Sequence, residues 1–110
     1  MSNPNGKKGS QKHQQVQEKE LQKARDEYKE IADAEARKEV SISTPNGKKS
    51  SRVADVAVFS RKKPLRFFKI VQIGKSKNGK PVAREQEAIE DIESHYDINV
   101  DFIDYEKYNL

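Results

Sequence analysis

Two near-continuous apolar runs constrain this chain more than anything else in it: Val53 to Phe59, and Leu65 to Ile73, separated by Arg61-Lys62-Lys63-Pro64. Short apolar runs bounded by turn residues are what buried strands require. The second run is apolar on both faces, as a central strand is. The rest of the chain offers little more to bury. Of 110 residues, 33% are hydrophobic and 36% are charged, so one thin-cored domain is expected over 10–110, with 1–9 as a disordered leader. No stretch approaches the roughly 20 apolar residues of a membrane span, and Met1 to Ser10 has no apolar segment for a secretory signal. The absence of cysteine excludes disulfide frameworks, thiolate zinc sites and thiol catalysis. His13 and His95 lie too far apart in sequence to form a ligand pair, so a metal would need oxygen ligands.

Around the two runs the periodicity predicts α-β-β-β-α-β. Ser10 is a candidate N-cap for a long helix running to about Lys38, with Val16, Leu21, Ala24, Tyr28 and Ile31 at helical spacing. Val40 to Ser43 alternates as a short strand, and Pro45-Asn46-Gly47-Lys48 is turn chemistry favouring positive φ. After the third strand, Lys75 to Pro81 reads as a polar, basic loop. A second helix follows from about Val82 to His95, and Ile98 to Ile103 alternates as the last strand. The expected class is α/β: a mixed four-stranded sheet with a long N-terminal helix and a crossover helix.

Charge divides the chain sharply. Residues 1–43 carry +1, residues 44–84 carry +11 and residues 85–110 carry −8. A +11 window is an electrostatic footprint for a polyanion, nucleic acid above all; its competing explanation is neutralisation by the acidic segment within the fold. The single acid in the window is Asp55, set between Ala54 and Val56 where an ionised carboxylate costs free energy unless a positive group meets it. Either Asp55 forms a salt bridge to Arg52 or a lysine, or it holds a metal, with Mg2+ the natural choice beside phosphates. Gln72, on the adjacent strand amid Val71 and Ile73, is placed to face it, or is a buried glutamine satisfied by backbone. Lys75 follows closely enough to orient water or stabilise a pentacovalent phosphate. Arg84 and Glu85 open the second helix toward the sheet, the first able to clamp a phosphate and the second to ligate a metal. Glu20 flanks the stripe of the first helix, as a solvated residue or as one reaching the same site, and His13 near that helix's start is a candidate phosphate contact.

The element order, an Asp entering the second strand and an amide in the third resemble the PD-(D/E)xK nuclease superfamily. More narrowly, Gly6-Lys7-Lys8-Gly9 with His13-Gln14, Arg52-Val53-Ala54-Asp55-Val56, and Gln72-Ile73-Gly74-Lys75 through Asn78-Gly79-Lys80-Pro81-Val82-Ala83-Arg84-Glu85 to Asp91-Ile92 resemble the nuclease toxin domains at the C-termini of bacterial polymorphic toxins, including those of contact-dependent inhibition. The resemblance implies a restriction-endonuclease-like core and a metal-dependent nuclease cutting DNA or tRNA in the cytoplasm of a competing cell, with a cognate immunity protein as partner. It implies Asp55, Gln72, Lys75 and Glu85 as catalytic residues. Asp55, Gln72 and Glu20 would be ligands to Mg2+, with Zn2+ or Mn2+ as alternatives, and no small-molecule cofactor is implied. Arg52, Lys69, Lys77, Lys80, Arg84 and His13 would contact the nucleic acid. This chain departs from the family in having Gly74 where the catalytic lysine usually stands. A non-catalytic nucleic-acid-binding domain, or an interaction module, is the alternative from another class.

Overall fold

A computed structural model describes residues 11–63 and 66–109. The expected leader, the Ser10 cap and the Leu65 start of the third strand lie outside them. The elements run α1 (Gln11–Glu27), β1 (Ala34–Ser43), β2 (Ser51–Ser60), β3 (Phe67–Gly74), β4 (Ser76–Lys77), β5 (Lys80–Pro81), α2 (Ala83–His95) and β6 (Val100–Asp104). The main sheet has the order β1-β2-β3-β6, antiparallel except for the parallel β3–β6 pair. A parallel neighbour needs a long crossover, which α2 supplies. The α/β class with two helices and a mixed four-stranded sheet is therefore what the chain adopts.

Two expectations fail for identifiable reasons. The first helix ends at Glu27, not near Lys38, because Ala34 to Lys38 pairs with Val56 to Ser60. Val40 to Ser43 alone reaches only Ser51 to Ala54, and the buried remainder of β2 needs backbone partners that local helix propensity cannot offer. The positive-φ Asn-Gly pair is Asn78-Gly79 (φ 57° and 80°), not Asn46-Gly47. It closes the β4–β5 hairpin inside the segment expected to be a loop. The β1–β2 connection is held instead by Thr44, whose Oγ1 donates to Lys49 O at 2.7 Å, and by Asp91 of α2.

The sheet is covered on both faces. Val16, Leu21 and Ala24 of α1 pack with Ala36, Val56, Val58, Val71 and Ile73; Ile92 of α2 packs with Ile42, Ala54, Ala57 and Ile70. Each fully buried Leu, Ile or Val contributes about 1.5–3 kcal/mol. Across these clusters the strands change phase at one point. Val56 belongs to the α1 side and Ala54 to the α2 side, and between their partners Lys38 and Val40 lies Glu39, with φ 54°. The strict alternation of a flat strand is broken at the level of Asp55.

Candidate active site

The break opens a cleft. β2 and β3 pair as far as Val56↔Val71 and then part. Beyond that rung, two side chains replace the ladder. Asp55 N–H donates to Gln72 Oε1 at 2.9 Å and Gln72 Nε2 donates to Val53 O at 3.3 Å, while Ile73 N–H donates to Asp55 Oδ2 at 2.7 Å. The buried Gln72 amide acts as both donor and acceptor, which a carboxylate in its place could not do. Backbone groups that the splay would orphan are satisfied, and the strands stay apart.

Into the gap come groups from both helices. His13 of α1 donates from Nε2 to Ile73 O at 3.0 Å, stands 3.7 Å from Asp55 Oδ1 and meets the Tyr105 ring edge-on at 5.4 Å. Gln17, one turn on, donates to Asp55 O at 2.9 Å. From α2, Glu85 fills the space where Gly74 lacks a side chain: a Cβ there would lie 2.7 Å from the Glu85 carboxyl group. The cleft measures about 870 Å3, and Glu39, Val53, Lys75, Arg84 and Tyr105 also line it.

Its electrostatics are unbalanced. Burial pushes the Asp55 carboxyl up to about 6; the Ile73 N–H and His13 oppose this, and Glu85 and Glu39 add to it. Glu85 is also raised by burial, against the pull of Arg84 and His13. Two hard oxygen donors whose ionised forms are disfavoured by burial, one of them also by a neighbouring carboxylate, fit a small divalent cation that keeps part of its water shell. Among the described residues no group of three or more His, Cys, Asp and Glu side chains is arranged to hold a metal, so such a cation would rest on Asp55 and Glu85 with water completing its shell.

Of the expected site residues, the fold brings His13, Asp55, Gln72, Lys75, Arg84 and Glu85 to one cleft. Gln72 has its amide engaged with the β2 backbone. Lys75 and Arg84 are exposed at the rim, and Lys77 and Lys80 are exposed on the adjoining hairpin. Arg52 lines the cleft but is buried and points to α2, bonding Asp91 at 2.7 Å and Glu87 at 3.1 Å. The expected alternative of an Asp55–Arg52 salt bridge is therefore not what forms. Lys69 pairs with Glu27 at 2.9 Å. Glu20 is neither solvated nor in the cleft: it is buried, accepting from Tyr108 at 2.6 Å and Lys23 at 3.0 Å. Gln17, Glu39, Val53 and Tyr105 are contributors that sequence reasoning missed. Only Gln17 left a signal, lying four residues after His13 on one helical face.

Fold and cleft together define an α/β domain with a mixed sheet split at one end around an acid-lined, cation-rimmed site. No family model, curated protein or solved structure matches the chain.

Proposed function

We propose that this domain is a divalent-cation-dependent phosphodiesterase acting on nucleic acid. The observation that carries the reading is the convergence of Asp55, Glu85 and His13 in one cleft whose mouth is lined by Lys75 and Arg84. Asp55 and Glu85 would hold the cation, which would polarise a phosphate and make its bound water more acidic. Arg84 binds a non-bridging phosphate oxygen pair, and Lys75 faces the negative charge that builds on the phosphoryl oxygens. His13, fixed by Ile73 O, favours the ionised state of Asp55 when it carries a proton. Lys77 and Lys80 hold flanking phosphates. Gln72 keeps the strands parted and is a positioning residue. Following the resemblance, the substrate is DNA or tRNA of a competing bacterium, the domain is the C-terminal part of a larger toxin, and an immunity protein neutralises it.

Incubation of the purified protein with plasmid and with total tRNA, in Mg2+ or in EDTA, tests this. Cleavage is expected in Mg2+ alone, and Asp55→Asn should lower it at least about a hundredfold with the fold intact. Cleavage that ignores both EDTA and Asp55→Asn would contradict the reading. The exposed Lys75, Lys77, Lys80 and Arg84 beside the cleft also suit a second reading, a non-catalytic binder. In that case neither substrate is cut, and Asp55→Asn binds nucleic acid as well or better because a negative charge is gone.

A further inference from the structure

The cleft does not absorb all of the positive window. At the opposite end of β3, the β2–β3 connection displays Arg61, Lys62, Lys63 and Arg66, all exposed. None of the four has an ion pair among the described residues. Four like charges within six residues repel one another, yet the described residues on either side are held by hydrogen bonds. Ser60 Oγ accepts the N–H groups of Lys62 and Lys63 at 3.1 and 3.0 Å and donates to Asp33 at 2.6 Å. Ser60 N–H donates to Arg66 O at 3.0 Å, and Arg61 N–H to Asp33 O at 2.7 Å. The Arg66 guanidinium lies 5.3 Å from the Phe68 ring centroid. Asp33, the nearby carboxylate, is held below its ordinary value chiefly by the Ser60 hydroxyl, with Lys62 and Arg66 contributing. One acid, already bonded to Ser60, is too few to compensate four cations.

We infer that this turn is a second docking site for nucleic-acid phosphates, separate from the cleft and taking no part in the chemistry. The eight residues of β3 span about 25 Å, so the turn and the cleft cannot contact the same phosphate. A duplex rising about 3.4 Å per base pair must exceed roughly seven base pairs to reach both. A protein partner would need an apolar centre to its interface. Among the described residues the exposed large apolar side chains are Ile31, next to the Ala32 whose carbonyl accepts from Arg61, and Val53, which belongs to the cleft. Four cations beside one exposed apolar side chain, among the described residues, suit a polyanion whose charges repeat evenly.

The inference takes its ligand class from the nucleic-acid reading of the cleft, but its test needs no turnover. In an Asp55→Asn background, Lys62→Gln, Lys63→Gln and Arg66→Gln are combined. Binding to a duplex DNA of about 30 base pairs and to total tRNA is then followed by fluorescence anisotropy across a salt series. The slope of log Kd against log salt should become shallower by about 2–3, with affinity falling on the order of tenfold at low salt. Tm should stay the same or rise, since repulsion is relieved. Unchanged slope and affinity for both ligands, in a folded protein, overturns the inference and leaves a protein partner as the patch's occupant. If the wild-type chain binds through the turn but cuts nothing, the docking site stands and the phosphodiesterase reading falls.

Discussion

Two ionic clusters lie three residues apart on β2 and are treated oppositely by the fold. Arg52 faces Asp91, whose carboxylate also accepts the N–H groups of Lys48 and Lys49 at 3.1 and 3.2 Å. The Lys48 N–H leads in holding that carboxyl below its ordinary value, and Arg52 and the Lys49 N–H add to it. Asp55 receives one backbone N–H and a histidine at 3.7 Å, and burial takes it up to about 6. Both carboxylates are largely enclosed beside β2, Asp55 on the strand itself and Asp91 on the helix α2 that covers it. The first is saturated with donors and locks the β1–β2 loop to α2; the second is left wanting positive charge at the mouth of a cleft. Structural and candidate functional acids are thus told apart by how completely their charge is answered, not by how deeply they sit.

Removing the structural partner should have the largest effect. Arg52→Met leaves Asp91 enclosed without its guanidinium, and Tm should fall on the order of 10–20 °C in a thermal melt. The opposite sign is expected at the other cluster. Asp55→Asn keeps an acceptor for Ile73 N–H but removes the buried charge, so the metal-free protein should gain about 2–3 kcal/mol at pH 7 in urea denaturation. The pH dependence follows from a folded pKa of about 6 against an ordinary 3.8. The folded state holds this proton more tightly, so the wild-type stability contribution is present below about 4 and is lost as pH rises toward 6. The gap between wild type and Asp55→Asn should therefore close at pH 4 and be full above pH 6. A variant more stable yet inactive would mark the site as one where stability is given up for chemistry.

Gln72→Leu sharpens the contrast further. It strands the Asp55 N–H and the Val53 carbonyl and should cost about 1–3 kcal/mol by the same denaturation measurement. The smallest stability effect belongs to Gly74→Ala. Its Cβ displaces the Glu85 carboxyl, a half-buried side chain free to swing outward, so less than about 1 kcal/mol is lost. Mg2+ affinity, read by calorimetry, should nonetheless weaken several-fold.

The strands β2, β3 and β6 and the helix α2 were legible because they carry their own apolar patterns, whereas the β4–β5 hairpin, polar throughout, reads as a loop. The span of β1 was not legible. Ala34 to Lys38 reads as helix locally and becomes strand only because β2 is ten residues long and needs a partner. The nearness of Asp55 and Gln72 could be read from two polar residues on hairpin-linked apolar strands. Their actual bonding, amide to backbone across a splay, depends on the phase change at Glu39, and nothing in the local sequence announces a positive φ at a glutamate. The partner of Arg52 was equally hidden, since Asp91 lies 39 residues away in the chain. The burial of Glu20 depends on Tyr108, 88 residues away, at the far end of the described chain.

On the proposed reading, the Asp55 carboxylate is left short of positive charge so that a cation can supply it. A 13C titration of the Asp55 side-chain carboxyl by NMR, in metal-free protein and again at saturating Mg2+, reads this directly. A midpoint near 6 is expected without metal, with a clear fall when Mg2+ is added. A midpoint at or below the ordinary aspartate value, unmoved by Mg2+, would contradict that reading.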